Sequence, residues 1–477
     1  MPVLLRRVSA LAAVAVLAPP LAAQRNIPAT YAITNAKLVP VSAPAIAKGT
    51  IVIRDGLITA IGANVAVPAD ARIIDGTGLT VYPGLFDAYG SIGLGGAAPA
   101  GGAAAAGRGG RGGGGGAATA ADPRGGSGNT FDDPRGVEPW LSAAEEIKID
   151  EDALDGPRSA GITTALAVPG GGVFQGQSAL INLGGASPAA MIVRSNVAQH
   201  VAFSAGGRGG GGGGGGYPGS LMGVFAVLRQ ELLDAQRYRD LKAAYAKNPK
   251  NMLRPEFDPG LESLLPALAG TQPVVMIANQ QREIERALDL AKEFGLKVVI
   301  AGGAESYMVA SRLKAENVPV LLSINFPRRT AAAAPDAEPE TMRVLHERVD
   351  YPKAAGKLAA AGVKFAFWSG GNTTWSDYAV NVQRAVDGGL SADQAVKALT
   401  WSPAEIFGVS DRLGSLEVGK IANLTVTKGD VGEKGVRVSQ LFVDGRPIAL
   451  HAPAAGAGGG GRGAGAPPAA ARGQDPL

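Results

Sequence analysis

The sequence predicts an α/β protein: a parallel β/α core of barrel type, carrying a small β-sandwich assembled from both chain ends. Three observations predict it. Residues 31–82 are β-rich. A second β-rich block, residues 424–427 and 438–443, lies near the other end. Between them, strand and helix patterns alternate. Repeated βα units build a parallel sheet with crossover helices, closed as a barrel or open as a doubly wound sheet. Chain ends that return to one small β domain favour the barrel.

The elements follow in order. Thr50-Ile51-Val52-Ile53 and Leu57-Ile58-Thr59-Ala60-Ile61 are apolar runs separated by Asp55-Gly56, a tight hairpin signal. Ser142-Ala143-Ala144-Glu145 has the spacing of a capping box opening a helix. Residues 161–168 read as a strand, and 222–245 carry helical periodicity. Strands are predicted at 274–278, 297–301, 318–324 and 363–368, and helices at 282–294, 306–316 and 353–361. Asp444-Gly445 repeats the hairpin signal.

Composition narrows the chemistry. The chain has 477 residues, 46% of them hydrophobic, enough for a sizeable core. Lys and Arg number 45 against 41 Asp and Glu, a net charge of +4 that argues against a nucleic-acid binder. Cysteine is absent, which excludes disulfides, thiolate zinc sites and a Cys nucleophile. Only three histidines occur: His200, His346 and His451.

The first residues read as an export signal. Arg6 and Arg7 precede a short apolar run, and Leu21-Ala22-Ala23 offers small residues for cleavage. The expected domain plan is a signal peptide at 1–23, a composite β-sandwich from 24–82 and 408–451, and a barrel at 83–407. Gly-rich insertions fall at about 93–128 and 206–216, and a Gly/Ala/Pro tail at 452–477. Such segments cannot bury enough surface to offset their ordering entropy, so they read as flexible. The expected location is the periplasm, with no membrane attachment after signal cleavage.

Several motifs resemble one family. Val81-Tyr82-Pro83-Gly84-Leu85-Phe86-Asp87-Ala88 is similar to the barrel entry of the amidohydrolase superfamily, in its imidazolonepropionase-like and prolidase-like branch. Ala160-Gly161-Ile162-Thr163-Thr164, Val168-Pro169-Gly170-Gly171-Gly172 and Glu293-Phe294-Gly295-Leu296-Lys297 also resemble it. So do Ser402-Pro403-Ala404 and the run from Asp411 to Leu424 that holds Gly419-Lys420-Ile421-Ala422-Asn423. The resemblance spans about Tyr31 to Arg446. It implies a (β/α)8 TIM-like barrel with one or two divalent metals, such as zinc, at its C-terminal mouth. The ligands it implies are a His-x-His pair after the first strand, two later histidines and a final aspartate.

This sequence departs at each of those places. Tyr89 and Ser91 stand at the His-x-His positions, Ile277 at the third histidine, Gly302 at the fourth and Gly370 at the aspartate. Three histidines cannot supply four histidine ligands. No metal or other cofactor is therefore expected. The resemblance places Tyr89, Ser91, Asn279, Glu305, Asn372 and Asp377 around the mouth, where hydroxyl, amide and carboxylate groups could hold a small polar ligand. Trp368 and Trp375 could wall it, or Trp368 could fill space vacated by the ligands.

Other patterns carry less. Gly414 to Lys420 has phosphate-loop spacing, but Ile421 replaces the required hydroxyl residue. Ser311-x-x-Lys314 falls on a predicted helix, and Asp150-Glu151-Asp152 with Asp155 reads as a solvated helix face. His200 reads as a structural or surface histidine. The expectation is an exported amidohydrolase-like protein without the metal site, a pseudoenzyme or binding subunit. Its partner would be an active amidohydrolase paralogue or a second copy. Two alternatives stand beside it: an active hydrolase of peptides or cyclic amides through a non-standard site, and a metal-free solute-binding barrel.

Overall fold

A computed structural model describes residues 30–94, 136–203, 220–328, 340–371 and 375–450. The predicted signal peptide, the tail, His451, Asn372 and nearly all of the Gly-rich insertions lie outside the described residues. The strands at the N-terminal end are β1 (Tyr31–Leu38), β2 (Ile46–Arg54), β3 (Leu57–Gly62), β4 (Arg72–Asp75), β5 (Thr80–Pro83) and β6 (Leu85–Gly90). Then come β7 (Ile162–Ala167), β8 (Phe174–Gln177), β9 (Ala179–Asn182), β10 (Ile192–Arg194), β11 (Gln199–Ala202) and β12 (Val274–Ala278). The last six are β13 (Val298–Gly302), β14 (Val320–Ser323), β15 (Phe365–Trp368), β16 (Leu424–Lys428), β17 (Arg437–Val443) and β18 (Arg446–Ile448).

Both Asp-Gly pairs form hairpins. Asp55 and Gly56 have φ of 53° and 82°, and Asp444 and Gly445 have 50° and 72°. Two successive positive φ values give the turn whose twist matches the flanking strands. The hairpins sit in one eight-stranded sheet of order β18-β17-β16-β5-β1-β2-β3, with β4 also on β1. Antiparallel pairing of β5 with β16, from Leu424 opposite Pro83 to Thr427 opposite Thr80, joins the two chain ends. Ile33, Leu38, Ile51, Ile53, Ile58, Leu424, Val426 and Phe442 pack as its apolar core.

The middle of the chain is a parallel β/α array. β11 to β15 pair parallel in sequence order, and β6 pairs parallel with β7. Helices Gln281–Phe294, Ala310–Ala315 and Ala354–Ala360 connect the later strands. These strands are apolar almost throughout because both faces are covered. Val274, Met276, Val298, Ile300, Val320, Leu322, Phe365 and Phe367 pack in the large core with the helices. Val275, Ile277, Val299, Ala301, Leu321, Ala366 and Trp368 face an inner cluster with Phe86, Ala88 and Tyr89. β15 lies beside β6, so the last strand returns to the first.

The family-like motifs hold the array to the sheet. The Asn423 side-chain amide donates to Thr164 Oγ1 (3.1 Å) and Asn182 Oδ1 (2.8 Å), while its carbonyl accepts from the Asp444 amide (2.8 Å). Asn182 Nδ2 donates to Asp444 Oδ1 at 2.6 Å. Gly84, between β5 and β6, is required by contact: a Cβ there would lie 2.0 Å from Thr163 Oγ1. Lys420, in the phosphate-loop-like run, is buried and donates to Ser410 O (2.7 Å) and Ser415 Oγ (2.6 Å) over the Trp401 ring. It is a structural clamp.

Some local expectations change. Ser142 makes no capping bond; its Oγ donates to Asn196 Oδ1, and the helix is only Ala143–Glu146. The helix expected at 306–316 opens with a 3-10 turn, Ser306–Val309, before Ala310–Ala315. β8, β9 and β10 were hidden in sequence, being three or four residues long. No helix among the described residues is long and apolar enough to cross a membrane.

The junction gives a stability prediction. Asn423→Ala strands the buried Asn182 and Thr164 partners and should cost about 3 kcal/mol in denaturant unfolding. Combined with Asn182→Ala, the loss should fall well short of the sum, because both changes remove the same network.

Candidate functional site

The site is built where the parallel strands end, starting from β6. Asp87 is fully buried there. Its carboxylate accepts from the Ser369 amide (2.8 Å) and Ser369 Oγ (2.9 Å), and from the Tyr89 amide. It thus ties the end of β15 to β6. Burial outweighs these bonds and raises its pKa to about 7.

Tyr89, where the resemblance puts the first histidine, is fully buried. Its hydroxyl donates to Gln175 Oε1 at 3.2 Å. Its ring lies 4.9 Å from the Trp368 ring and 5.4 Å from the His200 ring, centroid to centroid. His200 is on β11 with no exposed surface, which decides against a surface role. Burial lowers its pKa to about 3, so the imidazole is neutral. Among the described residues, neither ring nitrogen, nor Trp368 Nε1, has a hydrogen-bond partner. A buried polar group left without a partner costs about 1–3 kcal/mol.

The remaining ligand positions are closed. Gly302 ends β13 with φ of 95°, and a Cβ there would meet Asn279 Oδ1 at 2.4 Å. Gly370 follows β15 with φ of 73°, and a Cβ would meet Ser323 Oγ at 2.3 Å and Asn325 Cβ at 2.5 Å. An L-residue is strained at such φ whatever the space. Ile277 sits in the inner cluster and Ser91 is half-buried past β6. A divalent ion needs three or more nitrogen, sulfur or oxygen ligands converging on one point. Among the described residues no group of three His, Cys, Asp or Glu does so. The five positions do not fit a metal.

The other sequence-predicted groups already have partners. Asn279 follows β12 and its side chain lies over Gly302, while its main-chain carbonyl accepts from the Glu305 amide at 2.9 Å. Glu305 Oε2 accepts from the Gln281 amide at 2.7 Å. Asp377, in the helix Ser376–Asp387, is paired with Arg328 at 2.7 Å. The structure therefore joins Asn279 to Glu305 and leaves Asp377 in an ion pair. Asn372 lies outside the described residues. Trp375 stacks near Tyr378 at 5.9 Å and against Gly156, away from Trp368's inner cluster. Trp368 does fill interior space beside Tyr89. Sequence reasoning missed Asp87 with Ser369, Gln175, and the inward placement of His200. The only advance signal was the carboxylate of Asp87 in an otherwise apolar strand.

Comparison with known proteins follows this geometry. Residues 221–448 match the model of the amidohydrolase family. An amidohydrolase from Thermotoga maritima MSB8 is 24% identical, covers 88% of this chain and 100% of its own, and superposes with a TM-score of 0.69. It has the same fold. A prolidase complexed with N-methylphosphonate-L-proline is 14% identical, over 88% of this chain and 100% of its own, at a TM-score of 0.48. Phenylurea hydrolase B is 16% identical, over 88% and 97%, at 0.49. No curated protein matches the chain.

Two outcomes follow. Asp87 has a folded pKa of about 7 against 3.8 unperturbed. Its contribution to stability is full below the unfolded value and is lost as pH rises toward 7. Asp87→Asn should remove that loss, so wild type minus variant stability should fall by a few kcal/mol between about pH 4 and pH 8. Restoring ligands one at a time should fail: Gly302→His and Gly370→Asp should each cost at least about 2 kcal/mol in unfolding experiments, without gain of zinc affinity.

Proposed function

We propose that this amidohydrolase-family protein keeps a (β/α)8 barrel with a composite β-sandwich as a binding or partner scaffold and does not work as a metallohydrolase. One observation carries the reading: two ligand positions, Gly302 and Gly370, are left-handed glycines whose side-chain space is already filled by Asn279 and Ser323. Loss of ligands alone would leave an open mouth. Here the neighbouring residues have moved in, and Tyr89 with Trp368 takes up the interior.

The polar groups at the mouth support the same reading. The Glu305 carboxylate accepts from the Gln281 amide, and Asp377 is held by Arg328. A hydrolase needs a group free to activate water; the neutral, enclosed His200 is poorly placed for that. The export signal at residues 1–23 sets the scene in the periplasm. There a metal-competent amidohydrolase paralogue is the natural partner, because a retained surface and an abandoned site suit assembly. Self-association is the other form such a scaffold can take.

The test is direct. The purified protein, with and without added zinc or manganese, is assayed on dipeptides and cyclic amides. No hydrolysis above the uncatalysed rate is expected, and affinity capture from the native host should bring down a family member that retains its histidines. Turnover abolished by Tyr89→Phe or Glu305→Gln would instead establish a non-standard active site.

A further inference from the structure

The strands around the inner cluster belong to two separate sheets, and one of the two gaps between them lies beside Tyr89. β7 pairs with β6 and β9, while β11 pairs with β8 and β12, so β7 and β11 are not joined. Tyr89 crosses this region from β6 to reach Gln175 on β8. On the far side, His200 projects from β11 against the Tyr89 ring, and Trp368 flanks the same ring from β15. All three side chains are fully buried, and most of their neighbours in the cluster are apolar.

We propose that ordered water molecules occupy this place, bound by His200 and Trp368 beside Tyr89. A neutral imidazole presents one donor and one acceptor, and an indole one donor. Those three nitrogen atoms are buried and lack hydrogen-bond partners among the described residues, and both rings pack against Tyr89. Buried polar groups in native proteins are satisfied, by protein or by water. The two imidazole nitrogens point away from each other, so one molecule cannot serve both and the site takes more than one. Water fits where other ligands do not. An ion would find only one imidazole lone pair or two N–H donors, and the buried carboxylate of Asp87 is already bonded to Ser369.

A high-resolution crystal structure of the full chain tests this. It should show solvent peaks within hydrogen-bond distance of His200 Nδ1, His200 Nε2 and Trp368 Nε1. A dry cluster, a protein group bonded to these atoms, or density for a metal or organic ligand would each overturn the proposal. A second reading comes from His200→Leu: a hydrated site predicts a lower Tm, because the water loses its anchor. A higher Tm would mean that the nitrogens are buried dry, and the idea would fall.

Discussion

Asn423 sits at the one point where the chain ends and the middle of the chain must agree. Its backbone carbonyl accepts from the Gly84 amide, and its side chain satisfies Thr164, Asn182 and the Asp444 amide. Asn423, Thr164 and Asn182 are buried and Asp444 is partly so, and releasing the Asn423 amide would leave buried neighbours unpaired. This single amide thereby fixes β16 against β7 and β9, and fixes where β6 begins. The positions of Asp87 and Tyr89 follow from that start. The contact demanded of Gly84 by Thr163 has the same effect, since no side chain can intrude and shift β6.

The rest of the site depends on how the strand ends are packed. Positive-φ glycine at Gly302 and Gly370 lets the chain turn sharply just past β13 and β15. The space a side chain would have taken is occupied by Asn279, Ser323 and Asn325. Asp87 then bridges to Ser369, which closes the gap between the last strand and the first with a buried carboxylate in place of a polar site open to ligand. The account is one of packing. Aromatic and amide groups supply the cohesion at these strand ends.

Much of the fold was legible because it rests on local chemistry. Asp-Gly pairs flanked by apolar runs gave both hairpins, and the apolar strands of the later parallel array stand out by their apolar runs and by the helices between them. What was not legible depends on contacts between distant residues. β8, β9 and β10 are too short for periodicity to mark them, and Gly176 interrupts β8. The Ser142 box fails because Asn196, far along the chain, competes for its hydroxyl. His200 gave no sign of its burial, since a histidine beside a Gly-rich stretch looks exposed in sequence. Asn279, Glu305 and Asp377 follow β12, β13 and β15, but the partners Gln281 and Arg328 could be found only in three dimensions.

The central claim is that the family's metal chemistry has no seat in this chain. Elemental mass spectrometry of the purified protein tests it most directly, after dialysis and again after loading with zinc and manganese. The account predicts far less than one metal ion per chain in both samples. One tightly held ion per chain that survives dialysis would contradict it and return the protein to the metallohydrolases.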